Sequence, residues 1–508
     1  MKVKHLHLQN YGRFEDLKID FAPTAEKSGN VTVIVGNNGA GKSQILQALA
    51  TGLSWFVNGL KDYSKETKVR ANKEHGFLQS NEGEYIEQSQ IKNNKDYSEL
   101  ELSFYDESIG MEILNINSTR KEILIPASYG IQRTGFNELI KVYSKIFQKS
   151  KDISLPIVAY YPVNRGVIST PMDINEDSTT NQLTAYEDAL KSSASFESFF
   201  SWFREREDIE NESVVSSETK VKEIDENELI NDLIGSEKFK KIMNEVIDET
   251  IKDEKAMAEL LQALVKGIHQ FNKELPKLKS AILYDKQLKA VRLVIKIFTG
   301  LSNPKVRRQG TPTMIVEKDG EELDVNQLSQ GEKSLLALVG DIARRLALLN
   351  PSLDNPLEGE GVVMIDEVDL HLHPKWQHDL IDKLVATFPN VQFILTTHSP
   401  HVISDRNDIL LYSLDDGELT EMPNVYGEDA NTVLTKIFDV DIRDSKVEEQ
   451  FTIIRRAISN RDYPTAESEI AELGEKLPSD HLELLKCRLL LAQAKVNGKG
   501  DKPRYAED

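Results

Sequence analysis

The segment that decides the fold of this chain lies between residues 327 and 398. It begins with QLSQGEKS at residues 327–334, passes through a helical pattern to VVMIDE at 362–367, and ends with FILTTHS at 393–399. A glycine-rich segment, GNNGAGKS, stands far upstream at residues 36–43. Together these segments supply the parts of a nucleotide site. They are a glycine-rich turn, an apolar run that ends in carboxylates and a second apolar run that ends in a histidine. We therefore expect these distant segments to meet in one folded domain.

The glycine-rich segment has the pattern of a phosphate-binding loop. It matches G-x-x-x-x-G-K-[ST] at every constrained position, follows the β-forming run 31–35 and precedes a helical pattern at 44–53. Backbone N–H groups of such a loop face phosphate oxygens. Lys42 is expected to bind the β- and γ-phosphates, and the Ser43 hydroxyl to ligate magnesium. The predicted nucleotide-binding residues of the loop are Gly36, Asn37, Asn38, Gly39, Ala40, Gly41, Lys42 and Ser43. The alternative is a glycine turn without a ligand.

Two carboxylates and a histidine follow the apolar runs of the deciding segment. Asp366 is predicted to hold magnesium through water, and Glu367 to orient or deprotonate the water that attacks the γ-phosphate. His398 follows the neighbouring strand and is predicted to sense the same phosphate. The predicted ligands are ATP and Mg²⁺, with Glu367, His398 and Lys42 as the catalytic residues and Ser43 and Asp366 as the metal ligands. Each of these residues alone would more often be structural, so the prediction depends on their combination.

Composition excludes several classes of protein. The 508 residues allow two or three domains, and a hydrophobic fraction of 39% is compatible with a packed core. No run of about 18 apolar residues occurs, so no membrane span is expected, and the N-terminus lacks the apolar core of a secretion signal. We therefore expect a cytoplasmic protein. The single cysteine, Cys487, excludes a disulfide framework or a cysteine-based metal cluster within one chain.

The charge of the chain limits how it could contact nucleic acid. A formal net charge of -21 argues against a surface that binds nucleic acid over its whole extent. The most basic window contains Lys286, Lys289, Arg292, Lys296, Lys305, Arg307 and Arg308. Because these residues alternate with apolar ones, we interpret the window as a solvated strand or helix face, with a phosphate-contacting edge as the alternative.

Periodicity predicts an α/β fold with a parallel core sheet and an antiparallel side sheet. Antiparallel strands are predicted at residues 2–8, 17–21, 100–105, 111–116 and 121–125. Helices at 332–349 and 374–388 alternate with strands at 155–161, 362–367, 391–396 and 409–414, which indicates parallel pairing. A helix is also predicted at 136–148. Residues 291–298 and 313–317 are predicted as strands, and residues 55–100 as a polar insertion.

The chain is predicted to divide into four parts. Residues 1–174 and 285–424 form the two lobes of one ATPase head, and residues 175–284 form an acidic helical insertion between them. In that insertion Phe196, Phe199, Phe200 and Phe203 recur at helical spacing and are interpreted as a buried stripe. Residues 425–508 are predicted to form a helical tail that docks a partner or another copy.

The motifs resemble those of the ABC-type ATPases, a superfamily that includes the SMC and Rad50 proteins and AAA-annotated defence ATPases. Residues 328–332, LSQGE, resemble the ABC signature, with departures from its commonest form at Gln330 and Glu332. In that superfamily the signature serine and glycine cap the γ-phosphate bound by the opposite subunit. The resemblance therefore implies a head-to-tail homodimer with two ATP molecules at its interface, in which Ser329 and Gly331 contact nucleotide. Higher oligomers are also compatible with it.

Two further ABC motifs have counterparts here. Residues 369–373 resemble the D-loop that faces the partner subunit. Residues 160–165, YYPVNR, occupy the place of the Q-loop but contain no glutamine, and the resemblance implies that Asn164 or Arg165 takes its role.

A narrower resemblance is to the PtuA ATPases of Septu-type anti-phage defence systems, including their retron-associated forms. It rests on YYPVNR, on the acidic helical insertion and on the region from VYGEDAN at 425–431 through residue 494. Such ATPases work with a separate HNH nuclease, PtuB, and in retron systems also with a reverse transcriptase and its msDNA. The resemblance implies the same partners here, with nucleic acid reached through the complex and no nuclease activity in this chain.

Three other functions are weighed against this one. A DNA-repair or chromosome-maintenance ATPase of the Rad50/SMC class would need arms of hundreds of helical residues, which the insertion cannot supply. An OLD-type nuclease needs a sheet domain that carries an Asp-x-Asp pair on metal. Asp439 and Asp441 mimic that pair, but the tail is helical and short. An importer subunit would need a membrane partner, and the large insertion is foreign to that class.

Overall fold

The computed structural model describes the chain in ten stretches. They are residues 1–69, 83–107, 110–119, 134–149, 153–163, 181–191, 196–223, 285–310, 312–438 and 444–498. The chain divides into two compact units, Met1–Gly427 and Glu428–Asp508. The predicted strand at 121–125, the Asp439 and Asp441 pair, and most of the predicted helical insertion lie outside the described residues.

Thirteen strands and twelve helices are described. The strands are β1 (Lys2–Tyr11), β2 (Phe14–Asp20), β3 (Val31–Gly36), β4 (Tyr97–Asp106), β5 (Gly110–Thr119), β6 (Ile157–Tyr161), β7 (Ser302–Arg307), β8 (Thr313–Lys318), β9 (Glu321–Asp324), β10 (Gly361–Ile365), β11 (Val391–Thr396), β12 (Leu410–Asp415) and β13 (Glu418–Glu421). The helices are α1 (Lys42–Val69), α2 (Thr134–Lys149), α3 (Phe196–Glu223), α4 (Lys286–Thr299), α5 (Gln330–Leu349), α6 (Pro374–Gln377), α7 (Leu380–Thr387), α8 (Pro400–Ile403), α9 (Ala430–Ile437), α10 (Ser445–Ser459), α11 (Tyr463–Lys476) and α12 (Leu482–Gly498).

A six-stranded sheet forms the centre of the first unit. Its strand order is β13-β12-β3-β11-β10-β6, and every pair is parallel except β12 with β13. All residues of β3, β6, β10 and β11 are buried, as the unbroken apolar runs predict for strands covered on both faces. The prediction of a parallel core sheet is confirmed. Parallel strands end at the same edge, so the residues that follow β3, β10 and β11 lie side by side.

Two smaller sheets flank this core. The first four strand predictions are confirmed, but they form one antiparallel sheet of order β2-β1-β4-β5. The other sheet has the order β7-β8-β9, and its β8–β9 hairpin turns at Asp319 and Gly320, both with positive φ. A two-residue turn with positive φ at both positions is the form that β-hairpins favour.

Three predictions of secondary structure were wrong. Residues 291–298 lie in helix α4, because the apolar side chains at 288, 291, 294, 295 and 298 share one buried helical face, and Asp285 and Gly300 cap its two ends. The polar insertion does not start at residue 55, because Trp55, Phe56 and Leu60 are buried and α1 continues to Val69. The single helix predicted at 374–388 is two helices.

The break between α6 and α7 has a local cause. Asp379 has a φ of 61°, which an α-helix cannot continue, and its N–H donates to Asp405 Oδ2 at 2.9 Å. The His378 ring contacts the same carboxylate, with Nδ1 at 3.2 Å from Oδ1. A carboxylate from another segment therefore stabilises the break, and no periodicity in residues 374–388 reveals it.

The predicted phenylalanine stripe packs against the helix that follows the signature. Phe199, Phe200 and Phe203 of α3 are fully buried, as predicted. A Cβ on Gly340 of α5 would lie 3.0 Å from the Phe199 ring, so the two helices are in close contact there. The start of the predicted insertion is therefore part of the core of the first unit.

Three helices of the second unit enclose a small core. Helices α10, α11 and α12 surround Phe451, Ile454, Ala466, Leu473 and Leu484, which are all buried. The described residues of the predicted tail are therefore mostly helical, as expected.

Candidate nucleotide-binding site

The glycine-rich loop connects the end of β3 to the start of α1. Gly36, Gly39 and Gly41 have φ values of 148°, 77° and 114°. A Cβ on Gly36 would lie 2.1 Å from the Leu414 carbonyl oxygen, and one on Gly41 would lie 2.7 Å from the Phe14 ring. Neither position can hold a side chain, and Gly39 needs its backbone conformation although the space around it is open. The pattern of glycines is thus dictated by the loop geometry.

The Lys42 side chain folds back across this loop. Its Nζ donates to the carbonyl oxygens of Gly36 at 2.8 Å and Asn37 at 3.0 Å. Burial lowers the pKa of Lys42, and nearby carboxylates act in the opposite direction. Those carboxylates belong to Asp366, Glu367 and Asp369. The ammonium group is therefore bonded to the loop and lies within the electrostatic influence of the carboxylates that follow β10.

His398 is joined directly to the loop. Lys42 Nζ and His398 Nε2 are 2.9 Å apart, although 356 residues separate them in the sequence. Burial lowers the pKa of His398, and the Lys42 charge lowers it further. A neutral imidazole can accept a hydrogen bond from the lysine, so the arrangement favours Nε2 as the acceptor.

A single threonine positions the two adjacent carboxylates. Thr396 Oγ1 donates to Asp366 Oδ1 at 2.5 Å and accepts from the N–H of Glu367 at 2.7 Å. Asp366 is buried, and Glu367 has a φ of 46°. This left-handed conformation is one that a residue other than glycine adopts only where its surroundings hold it, and here the bond to Thr396 does so. Sequence reasoning did not assign a role to Thr396.

The segment after Glu367 is tied to the segment that holds His398. Thr397 Oγ1 donates to the Asp369 carboxylate. Gln377 makes a second connection, because its Nε2 donates to the Leu372 carbonyl at 3.0 Å and its Oε1 accepts from Ser399 Oγ at 2.8 Å. The D-loop and the histidine segment therefore form one hydrogen-bonded unit. No sequence signal pointed to Gln377.

The signature segment begins helix α5. Ser329 is the N-cap, where its Oγ accepts from the Glu332 N–H at 3.3 Å and donates to Glu332 Oε2 at 2.7 Å. Lys318 Nζ donates to the other carboxylate oxygen at 2.7 Å. Burial raises the pKa of Glu332, but the bonds from Lys318 and Ser329 outweigh it and leave that pKa below its ordinary value. The departure from the common signature at Glu332 thus has a structural role, since this residue holds the exposed Ser329 in place.

Gly331 makes a close approach to the D-loop of the same chain. A Cβ at this position would lie 2.4 Å from the His371 carbonyl oxygen, so only glycine fits. His373, near the end of the same loop, caps helix α6 by accepting from the Lys375 N–H at 3.2 Å. His373 therefore stands at the start of a helix, and His371 contacts the signature through its backbone. Among the residues described, no group of histidine, cysteine and carboxylate side chains could hold a metal ion by itself.

The predicted site residues fall into two groups in the structure. The loop, Lys42, Asp366, Glu367 and His398 meet at the carboxyl edge of the central sheet. Within the described part of the chain, no hydrogen bond or ion pair joins residues 327–334 to residues 36–43. Asn164 and Arg165, predicted for the Q-loop, lie outside the described residues.

Five of the seven cations of the basic window form ion pairs. Arg292 pairs with Glu207 and Glu210 of α3, at 3.5 and 2.7 Å, and Arg308 pairs with Glu207 and Asp208, at 2.9 and 2.6 Å. Ion pairs also join Lys286 to Asp354, Lys305 to Glu322 and Arg307 to Asp324. These contacts favour the interpretation of a solvated, structural face over a phosphate-contacting edge.

Comparison with known proteins decides the family. A model of the AAA ATPase domain matches residues 1–403, which include every motif of the site. The chain belongs to the AAA ATPase domain family. It is therefore a nucleotide-binding ATPase, as the sequence motifs predicted.

Two relatives of this ATPase carry more specific names. The chain is 32% identical over 496 residues to "Retron Ec83 probable ATPase" from Escherichia coli, an alignment that covers 94% of this chain and 83% of the relative. It is 31% identical over 141 residues to "Septu protein PtuA" from Bacillus thuringiensis, covering 26% of this chain and 36% of that protein. Both names confirm the narrower resemblance drawn from the sequence.

Among solved structures, the matches to this ATPase include SMC head domains. The SMC head domain from Thermotoga maritima aligns with 83% of this chain and 99% of its own, at 14% identity and a TM-score of 0.35. This likeness is too weak to define the fold, which is described instead by the strand order of the central sheet. No helix in the described residues is long and apolar enough to cross a membrane.

Proposed function

We propose that this ATPase is the regulatory or sensor subunit of an anti-phage defence complex, and that it works as a head-to-tail dimer closing on two ATP molecules. One observation supports the proposed dimer. The loop, Lys42 and His398 are joined by hydrogen bonds, whereas Ser329 is exposed and no bond ties it to that loop. A signature that caps ATP must then come from a second copy of the chain.

The residues at the sheet edge fit the chemistry of ATP hydrolysis. The glycine positions leave backbone N–H groups open to phosphate oxygens, and Lys42 lies between the loop carbonyls and the carboxylates. Ser43 and Asp366 supply a hydroxyl and a carboxylate oxygen, the donors that Mg²⁺ prefers, and these two residues would hold it. Bound Mg²⁺ would neutralise charge on the phosphates. The donor set therefore fits the metal.

Glu367 is proposed to act on the attacking water. The positive φ of Glu367 and the bond from its N–H to Thr396 fix the backbone directly after Asp366. A carboxylate beside the proposed metal ligand is suited to orient or deprotonate water. Neutral His398 would donate a hydrogen bond from Nε2–H to a γ-phosphate oxygen. Nε2 could then no longer accept from Lys42, so this contact would change when ATP binds.

The proposed partner is a separate HNH nuclease, with a reverse transcriptase and msDNA where the system contains a retron. The names of the relatives support this, because they belong to retron and Septu ATPases and one of them aligns along almost the whole chain. ATP binding would close the dimer, and the nuclease would carry out the destructive reaction. Residues 425–508 are proposed to dock a partner, and residues 1–424, interrupted by the insertion at 175–284, to form the ATPase head.

Affinity capture tests this function. Tagged Glu367→Gln protein, expressed in the native host, is expected to stay closed on ATP and retain its partners. We expect mass spectrometry to recover an HNH nuclease, with or without a reverse transcriptase and its DNA. Lys42→Ala, which should not bind ATP, is the matched control for partners that need the closed state. Recovery of repair proteins or bulk chromosomal DNA would instead support a DNA-repair or chromosome-maintenance ATPase of the Rad50/SMC class.

A further inference from the structure

Helix α12 of the second unit has two apolar faces. One face is buried in the core of the unit through Leu484, Cys487 and Leu491, which follow each other at spacings of three and four. A helix at the edge of a small bundle normally carries polar residues on its other side. The outer side of α12 does not follow this rule, so it requires a separate explanation.

The outer face carries a line of exposed apolar residues. Leu482, Leu485, Leu489 and Val496 are 66%, 43%, 60% and 71% exposed. Together with the exposed Ala492 they are spaced by three, four, three and four residues, which is the a/d spacing of a coiled-coil seam. Single exposed leucines are common, but five apolar positions in register along one helix form a continuous ridge. We call residues 482, 485, 489, 492 and 496 the outer ridge.

The side chains beside the outer ridge define what could cover it. In the same heptad register, the e and g positions are Lys486, Arg488, Gln493 and Lys495. None of these four is acidic, although the chain as a whole carries a net charge of -21. Lys486 and Lys495 contact Glu483 and Glu467 and remain partly exposed. Three of the four border residues are therefore cationic, and two of them, Lys486 and Lys495, also form ion pairs within the unit.

This border argues against a second copy as the occupant. Two outer ridges packed together would place lysine and arginine side chains against each other in either orientation, and like charges at e and g positions oppose pairing. A helix with apolar a/d residues and acidic e/g residues would instead bury the ridge and form ion pairs along both sides. The charge of the border residues therefore favours an acidic helix over a second copy of α12.

We propose that the outer ridge of α12 docks an amphipathic helix of a different polypeptide, with acidic residues on both sides of its apolar seam. The matched ATPase domain ends at residue 403, before this unit begins, so the ridge residues are not part of that domain. The inference does not depend on which enzyme the partner carries. It therefore stands or fails separately from the proposed control of a nuclease.

A designed peptide pair tests the chemistry of the ridge. The probe is a labelled peptide of three heptads with leucine at a and d and glutamate at e and g, and the control peptide has lysine at e and g. We expect the full-length protein to bind the glutamate peptide at least about tenfold more tightly in fluorescence anisotropy. Equal binding of both peptides, or binding of neither, would overturn the proposal.

Variants locate the binding to the ridge. Leu485→Gln with Leu489→Gln should remove binding of the glutamate peptide without lowering the thermal stability, because both side chains are exposed. Leu293→Gln is the matched control, since Leu293 is a helix residue that is 51% exposed in the other unit. Lys486→Glu with Lys495→Glu should reverse the preference toward the lysine peptide. Unchanged binding by the leucine variant would place the site elsewhere and overturn the proposal.

Cross-linking in the native host identifies the occupant. A photo-reactive amino acid in place of Leu489 is expected to form a cross-link to a helix of another protein, with acidic residues beside its apolar seam. Mass spectrometry of the cross-linked peptide decides the outcome. A cross-link to α12 of a second copy, to another segment of this chain or to no protein would overturn the proposal. If this cross-link forms but no nuclease is captured with Glu367→Gln, only the proposed function fails.

Discussion

The two halves of the nucleotide site differ in how they are held. The loop half is joined to the central sheet by hydrogen bonds that connect Lys42, His398, Thr396 and Asp366 across long sequence separations. The signature half is held by contacts close to itself, in which Glu332 bonds to Ser329 and Lys318, and Gly331 rests against His371. One half is thus complete within the sheet, and the other presents an exposed serine on a fixed helix end.

This difference shows where control over the ATPase can act. If the signature caps ATP bound by a second chain, as proposed, the loop half can bind nucleotide by itself, whereas the signature contributes only when another chain brings it to the phosphates. Binding and hydrolysis should therefore respond differently to changes in the two halves. The following predictions test that separation, beginning with the largest expected effect.

Glu367→Gln should separate binding from hydrolysis in the loop half. The amide keeps the size of the side chain but cannot accept a proton, so we expect kcat to fall by roughly 10²–10⁴-fold while ATP binding is preserved. Steady-state phosphate release and equilibrium binding of labelled ATP measure the two quantities. Unchanged hydrolysis would remove Glu367 from the mechanism.

Ser329→Arg should leave ATP binding by a single chain intact and prevent closure. Light scattering is expected to show no ATP-dependent dimer, and hydrolysis should be lost. Mixing Ser329→Arg with Lys42→Ala restores one intact site in each mixed dimer. Equal mixing should then recover about a quarter of the wild-type rate, because about half of the dimers are mixed and each has one working site of two. No recovery in the mixture, or closure of the Ser329→Arg protein alone, would contradict a site shared between chains.

Gln377→Leu should weaken the connection between the D-loop and the His398 segment. Its amide bonds to Leu372 and Ser399 would be lost, at a cost of about 1 kcal/mol per bond. We expect kcat to fall by about 3–10-fold with little change in KM, because ATP contacts in the loop half remain. Gln450→Leu is the control, since Gln450 bonds only to the exposed Glu472 in the hydrogen bonds of the described residues. A change in KM alone would assign Gln377 to binding rather than positioning.

His398→Asn should reduce the dependence of stability on pH in the absence of nucleotide. The folded protein holds the pKa of His398 below its ordinary value of 6.5, so below that pH the unfolded chain takes up a proton more readily than the folded one. Wild-type stability should therefore fall as the pH drops from about 7 to about 5.5, and the variant should lose less. Denaturant unfolding at several pH values measures this. An equal effect of His401→Asn would show that the change is not specific to His398.

Much of the fold followed from local patterns in the sequence. The runs that became β3, β10 and β11 are apolar on both faces and bounded by turns, and each was located to within a residue or two. Helix α4 was mistaken for a strand, because charged and apolar residues alternate there while the helical spacing of the buried ones also fits. The end of α1 was placed too early, since its buried face is covered by other segments that local composition does not reveal.

The sequence by itself determined the chemistry of the site. Spacing and residue type were enough to predict Gly36, Lys42, Ser43, Asp366 and His398 as site residues, because binding phosphate and metal requires these residue types. The tertiary structure alone decided how they are held. The roles of Thr396, Gln377 and Glu332 come from hydrogen bonds to segments brought near by the parallel sheet, and a chain pattern carries no information on such contacts. The outer ridge of α12 also could not be found from the sequence, because only the packing of the helices showed which of its two apolar faces is buried.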